Sequence, residues 1–221
     1  FLQPLLVAIP MIFTAWLMRN PLEHSGSGLA KGFALVETGL RQVWFLSGFA
    51  FVCLAIGLEA LRMTPGMREG EVAALSPHMQ LYAFLIAVLG AMAVGDAFGR
   101  LKDWSVARWP GMLSLPLMVL SLGVAIVGER HILYSPDVFC WVIAVGLHLW
   151  LLRQQAASIW THAMHAGGVL LATAMVADSI WLGIDAGELW ETSWAGVTFL
   201  VSATAIMILL VQWPGKAARS A

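Results

Sequence analysis

MQLYAFLIAVLGAMAVGDAF, residues 79–98, carries one carboxylate, Asp96, and no basic residue in twenty positions. At 1.5 Å per residue a helix of that length covers about 30 Å, the thickness of a bilayer's hydrocarbon layer. No period-two alternation of the barrel-strand kind runs through it. A helix, which satisfies its own backbone groups, is therefore the only form that can cross lipid here. Working outward, six more stretches qualify or nearly qualify: 1–18, 43–61, 110–128, 137–152, 160–182 and 193–213. The sequence thus predicts an all-α, polytopic transmembrane helix bundle of about seven spans, forming one domain over 1–221.

Composition leads to the same place. Of 221 residues, 60% are hydrophobic and 11% charged, with a mean hydropathy of +0.81. A soluble domain carries roughly 25% charged residues to cover its surface, which this chain lacks. The net charge of −1, without a basic run, points away from a nucleic-acid partner. Cys53 and Cys140 fall in separate spans without CxxC spacing, so neither a disulfide nor a redox motif is expected. The chain enters an apolar run at Phe1 with no basic n-region or cleavage site. It is read as part of a longer polypeptide, or as a chain whose first residues are missing. The least certain boundary precedes 43, where GLAKGFALVETGL fits either an interfacial helix or an early start to the second span.

Basic residues in short loops mark the cytoplasmic side. Arg19, Lys31, Arg41, Arg100, Lys102, Arg108, Arg153, Lys216 and Arg219 fall on one side, nine in all. Only Arg62, Arg68 and Arg130 fall on the other, whose last loop holds Asp185, Glu188 and Glu191. The nine-residue side is expected in the cytoplasm of a bacterial inner membrane, with the C-terminus there. Trp44, Trp109, Trp141, Trp150, Trp160, Trp181, Trp194 and Trp213 sit near span ends, where amphipathic rings prefer to lie.

Within 79–98 and just beyond it, Ala83, Ala87, Ala91, Gly95 and Gly99 recur every four residues. Lipid tails are as apolar as leucine, so membrane helices associate by close contact, which small side chains allow. The stripe predicts a central helix packed along this face.

Polar candidates are few. His148, His162 and His165 flank the short link 153–158 at similar depth, and His162 and His165 share a face at i, i+3. Imidazole suits Zn, Cu and Fe, so a metal or haem is one reading. No cysteine or carboxylate nearby completes a ligand set, and the preferred reading has the rings bonded to carbonyls or headgroups near Trp150 and Trp160. No metal site is assigned and no cofactor expected, with haem or metal kept as the alternative. Carboxylates inside a membrane are functional candidates. Asp178 is the strongest, for an interhelical hydrogen bond or for ion or proton handling. Glu59 and Asp96 lie near span ends, within reach of Arg62 and Arg100. Pro10 and Pro116 lie inside spans, where prolines can kink helices.

The stretch LHLWLLRQQ…IWTHAMHAGGVLLATAMVADSIWL resembles the bacterial multi-spanning proteins grouped as domain-of-unknown-function family 2339. Leu147, His148, Leu151, Leu152 and Arg153 match a first block, and His165, Ala166, Gly167, Asp178 and Trp181 roughly match a second. Gln154 stands where a second basic residue is usual, and Asp178 where Glu is usual. The close match covers about 40 residues; elsewhere only hydropathy corresponds. The resemblance implies the C-terminal portion of a long polytopic inner-membrane protein and carries no activity with it.

Few intramembrane charges, a packing stripe and no complete catalytic set favour a non-enzymatic scaffold or accessory subunit. Its expected partners are the lipid bilayer and other membrane subunits or a second copy. A transporter or channel domain using Asp178 and kinked helices is one competing reading. A haem- or metal-binding electron-transfer subunit using the three histidines is the other, and a Soret band would mark it. For the orientation, a chain cleared of Cys53 and Cys140 should label from outside at Gly187→Cys. At Gly215→Cys it should label only after permeabilisation; the opposite pattern inverts the topology.

Overall fold

The structure, a computed structural model, describes residues 2–18, 28–63, 77–128, 131–134, 137–155 and 158–212. Arg19, Arg68, Arg130, Trp213, Gly215, Lys216 and Arg219, and the side chains of Lys31 and Arg62, lie outside the described residues. The fold is all-helical, with seven α-helices and no strand among those residues: α1 (Leu2–Leu17), α2 (Gly28–Met63), α3 (Pro77–Leu101), α4 (Ser114–Val127), α5 (Asp137–Gln154), α6 (Ile159–Ala186) and α7 (Ser193–Gln212). A 3-10 segment, Ser105–Leu113, leads straight into α4. Five units are long and apolar enough to cross a membrane: Val36–Glu59, Met79–Leu101, Ser105–Val127, Asp137–Gln154 and Ile159–Ala186. Gln3–Leu17 and Ser193–Ala205 are shorter apolar helices.

The GLAKGFALVETGL stretch belongs to α2, a single helix of 36 residues. The fourth span differs more. Its first half is the 3-10 segment, and Pro116 lies in the first turn of α4 rather than kinking its middle. A missing N–H costs little there, because the first-turn amides have no intrahelical partner. Pro10, by contrast, is inside α1.

The turn after α3 explains how the 3-10 segment enters the bundle. Asp103 takes a left-handed φ of 52°, Trp104 N–H donates to the Gly99 carbonyl (2.6 Å) and Asp103 N–H to that of Arg100 (3.3 Å). This is the paired-bond helix stop that a left-handed residue makes. It delivers Trp104, buried, against Phe45 at 4.6 Å and Phe98 at 6.4 Å between centroids. Glu188, φ 52°, ends α6 with the same two bonds, Leu189 to Ile184 and Glu188 to Asp185.

α3 is central, touching α2, the 3-10 segment, α4 and α5, while α7 touches only α6 among the described elements. Its buried edge is Tyr82, Leu85, Leu89, Met92, Asp96 and Gly99. Ala83, Ala87 and Ala91 lie beside that edge, half-buried. Gly95 and Gly99 are the tight points: a Cβ on Gly95 would stand 2.9 Å from Phe49, and one on Gly99 2.8 Å from Arg108 and 2.9 Å from the Trp104 carbonyl. Large side chains on α3 therefore form the core, and small ones allow the approach of its neighbours at one end.

The bundle has an apolar outside as well as an apolar core, and it buries its few polar groups. Asp96, Asp137, His148, Ser114 and Ser121 are buried, while Leu120, Val127 and Phe139 are exposed by 65% or more. Ser121, Thr173, Ser179 and Thr204 each donate back to the carbonyl four residues earlier, which satisfies a hydroxyl without water. This is a membrane-embedded chain. Cys53 and Cys140 are both free thiols.

Leu85 is fully buried, so Leu85→Ala should cost about 2–4 kcal/mol of stability in detergent. Leu120→Ala, on the exposed face, should change little; equal melting shifts would contradict this core.

Candidate functional site

The link 153–158 and the turn after α3 meet at one end of the bundle. Asp96, with no exposed surface, lies 3.1 Å from Arg100 Nη2 and 3.5 Å from Arg108 Nε. Gln155 Nε2 donates to Asp96 Oδ1 and to the Arg108 carbonyl, each at 3.4 Å, and Arg108 donates to the Gln154 carbonyl. Arg100 also stands over the ring of Trp150, 4.7 Å from its centre. Residues from α3, the 3-10 segment and α5 are thus joined through one buried carboxylate. The pairing of Asp96 with Arg100 is an i, i+4 contact readable in sequence. Arg108 and Gln155 are tertiary partners that the sequence alone does not reveal.

Asp178, on α6, serves the opposite end. One oxygen is 2.9 Å from His131 Nδ1, and the other accepts from the Ile132 amide at 3.1 Å. The carboxylate thereby fastens the link between α4 and α5. His131 lies in the link between α4 and α5, a tertiary partner that the sequence alone does not reveal. Glu59 is half-buried on α2; its expected partner, the side chain of Arg62, is outside the described residues.

The three histidines separate. His162 is exposed at the start of α6, its Nδ1 2.7 Å from the Ser158 carbonyl, beside the Ser158 hydroxyl that caps the helix by accepting from Thr161 N–H. His148 is buried, 4% exposed, with Nδ1 2.8 Å from Ser114 Oγ at the first residue of α4. The headgroup-level reading therefore does not hold for His148, because α4 and α6 cover it. Two adjacent glycines of α6 make that cover close: a Cβ on Gly167 would strike Leu115, and one on Gly168 would stand 3.1 Å from His148 Nε2.

His148 and His165 line one cavity of about 240 Å³ between α4, α5 and α6; its other walls are mainly apolar, among them Met118, Val145, Val169 and Met175. A second, much smaller space of about 10 Å³ lies on the far side of His148, bounded also by Ser114 and Gln155. The histidines do not form one ligand set: two share the cavity and the third turns outward. No group of three or more His, Cys, Asp or Glu side chains suited to a metal occurs among the described residues. Ser114 was the partner hidden in the sequence, one of two serines in the apolar span 110–128.

Compared with family models, curated proteins and solved structures, the chain matches none.

Removing one partner from a buried ion pair is worth about 3–5 kcal/mol. Arg108→Met should approach that loss at the low end, because the guanidinium is partly exposed. Asp96→Asn with Arg108→Gln should cost less than the sum of the two single changes. Strict additivity in thermal unfolding would rule out the coupling.

Proposed function

We propose that this chain is an integral component of a bacterial inner membrane, C-terminus in the cytoplasm, working as a scaffold or accessory subunit by association rather than by catalysis. The observation that supports it is that two of the candidate carboxylates, Asp96 and Asp178, have fixed protein partners. Asp96 is held by Arg100, Arg108 and Gln155, and Asp178 by His131 and the Ile132 amide. A carboxylate bound this way would have to break its own tertiary contacts to pass an ion, so the arrangement favours a structural role over transport. The edge position of α7, in contact with α6 alone among the described elements, leaves apolar surface for lateral contacts. The basic-residue asymmetry supports the orientation, and the family resemblance over 147–182 supports the membrane assigned.

Cross-linking in intact membranes, followed by native mass spectrometry in mild detergent, tests this reading. The expected species is an assembly heavier than one copy with its lipids. Recovery of single copies, together with liposome ion flux that Asp178→Asn abolishes, would replace it with the transporter reading.

A further inference from the structure

We infer that an anionic glycerophospholipid binds between α5 and α6 at the 153–158 end of the bundle, with one acyl chain in the cavity walled by α4, α5 and α6 and its phosphate on Arg153. The inference needs only that the chain lies in a membrane, and it stands apart from the scaffold reading.

The cavity selects hydrocarbon. Its wall holds three polar side chains, and each is already engaged within the protein. His148 is bonded to Ser114 through Nδ1 and covered at Nε2 by the approach of α6, Thr173 donates to the Val169 carbonyl, and His165 has an interaction of its own. The surface facing the cavity is accordingly almost wholly apolar. A polar ligand would lose its hydration there without gaining a hydrogen bond, a loss that a hydrocarbon chain does not suffer.

Shape narrows the choice. The α6 wall runs from His165 to Val176, about 16 Å along the helix axis. The volume of about 240 Å³ holds about eight methylene-sized groups, at roughly 30 Å³ each. Leu149 and Val176 line the cavity and are also exposed, so one side of it meets the bilayer. An elongated apolar slot parallel to the helices and open to lipid matches an acyl chain.

Charge supplies the other end of the ligand. Val145, Leu149 and Arg153 follow one another at four-residue intervals, so Arg153 continues the lipid-side lip of the cavity to the end of α5. Helical side chains lean back toward the N-terminus, which lays the Arg153 stem over Leu149. Arg153 is exposed, and its side chain makes no hydrogen bond or ion pair with a described residue. α5 has 18 residues and spans about 27 Å, close to the hydrocarbon thickness, so its last turn lies at the headgroup level. Across the link, the leading amides of α6 have no intrahelical partners, and that end of a helix favours an anion. Over residues 96–108 and 150–155 the bases Arg100, Lys102, Arg108 and Arg153 face only Asp96 and Asp103. That excess favours a net-negative headgroup over a zwitterionic one.

Native mass spectrometry of the whole chain, delipidated and re-equilibrated in detergent with equal amounts of phosphatidylglycerol and phosphatidylethanolamine, tests the site. One retained phosphatidylglycerol per chain is expected, preferred about fivefold. Arg153→Gln, at an exposed position, should erase that preference. Ala172→Trp, at the exposed mouth, plugs the chamber and should abolish retention of both lipids while the chain still melts as a folded protein. Leu200→Trp, on the exposed face of α7, should leave retention unchanged. Inorganic phosphate in excess should not displace the lipid, because it has no chain to fill the cavity. If Ala172→Trp does not fold, the Arg153→Gln result decides. Equal retention of the two lipids by the unaltered chain, an unchanged preference in Arg153→Gln, full retention in folded Ala172→Trp, or displacement by inorganic phosphate would overturn the inference.

Discussion

One buried carboxylate holds the bundle in register. Asp96 sits near the end of α3 with no exposed surface, and a charge placed there needs partners on every side. Arg100 comes from the next turn of the same helix, Arg108 from the 3-10 segment, and Gln155 from the end of α5. Each partner must bring its backbone close, and the chain is built to allow it. Gly95 and Gly99 let Phe49 and the 3-10 segment approach α3, and the left-handed Asp103 turns the chain so that Trp104 plugs the gap beside Phe45. Longer side chains at either glycine would push apart the elements that neutralise Asp96.

A similar economy governs the rest of the polar inventory. In a layer without water, each donor or acceptor must find its partner within the protein. Serines and threonines return to their own helices, Asp178 fastens the α4–α5 link, and His162 and Ser158 settle the start of α6. His148 belongs to the same inventory. Its ring is fixed by Ser114, and its other nitrogen is covered by the close approach of α6 at Gly168.

Much of the fold was legible before any coordinates. Twenty-residue apolar runs, few charges and the absence of period-two alternation determine helices in lipid, because a bilayer leaves the backbone no other way to satisfy itself. The Asp96–Arg100 contact was also readable, since i, i+4 neighbours meet in any helix. Other features were hidden for identifiable reasons. The 3-10 start of the fourth span looks in sequence like more apolar helix, and hydropathy does not separate i, i+3 from i, i+4 bonding. The stripe of alanines marked α3 as a packing helix, but the core edge lies one residue round, on Tyr82, Leu85 and Leu89, because side-chain volume rather than smallness fills an interior.

The candidate site shows the division most clearly. From sequence, three histidines at similar depth around one short link were interchangeable. Only the tertiary structure decided that His148 turns inward to Ser114, that His165 shares its cavity and that His162 faces out. The residues around His148, Ser114 and Leu115 of α4 and Gly167 and Gly168 of α6, come from helices whose rotation relative to α5 no local pattern encodes. Hydropathy and helical period determined that this chain is a bundle in a membrane, because they are properties of single segments. Which polar groups meet is a property of how segments pack, and that was decided by the close approaches at a few glycines and by the buried charge at Asp96.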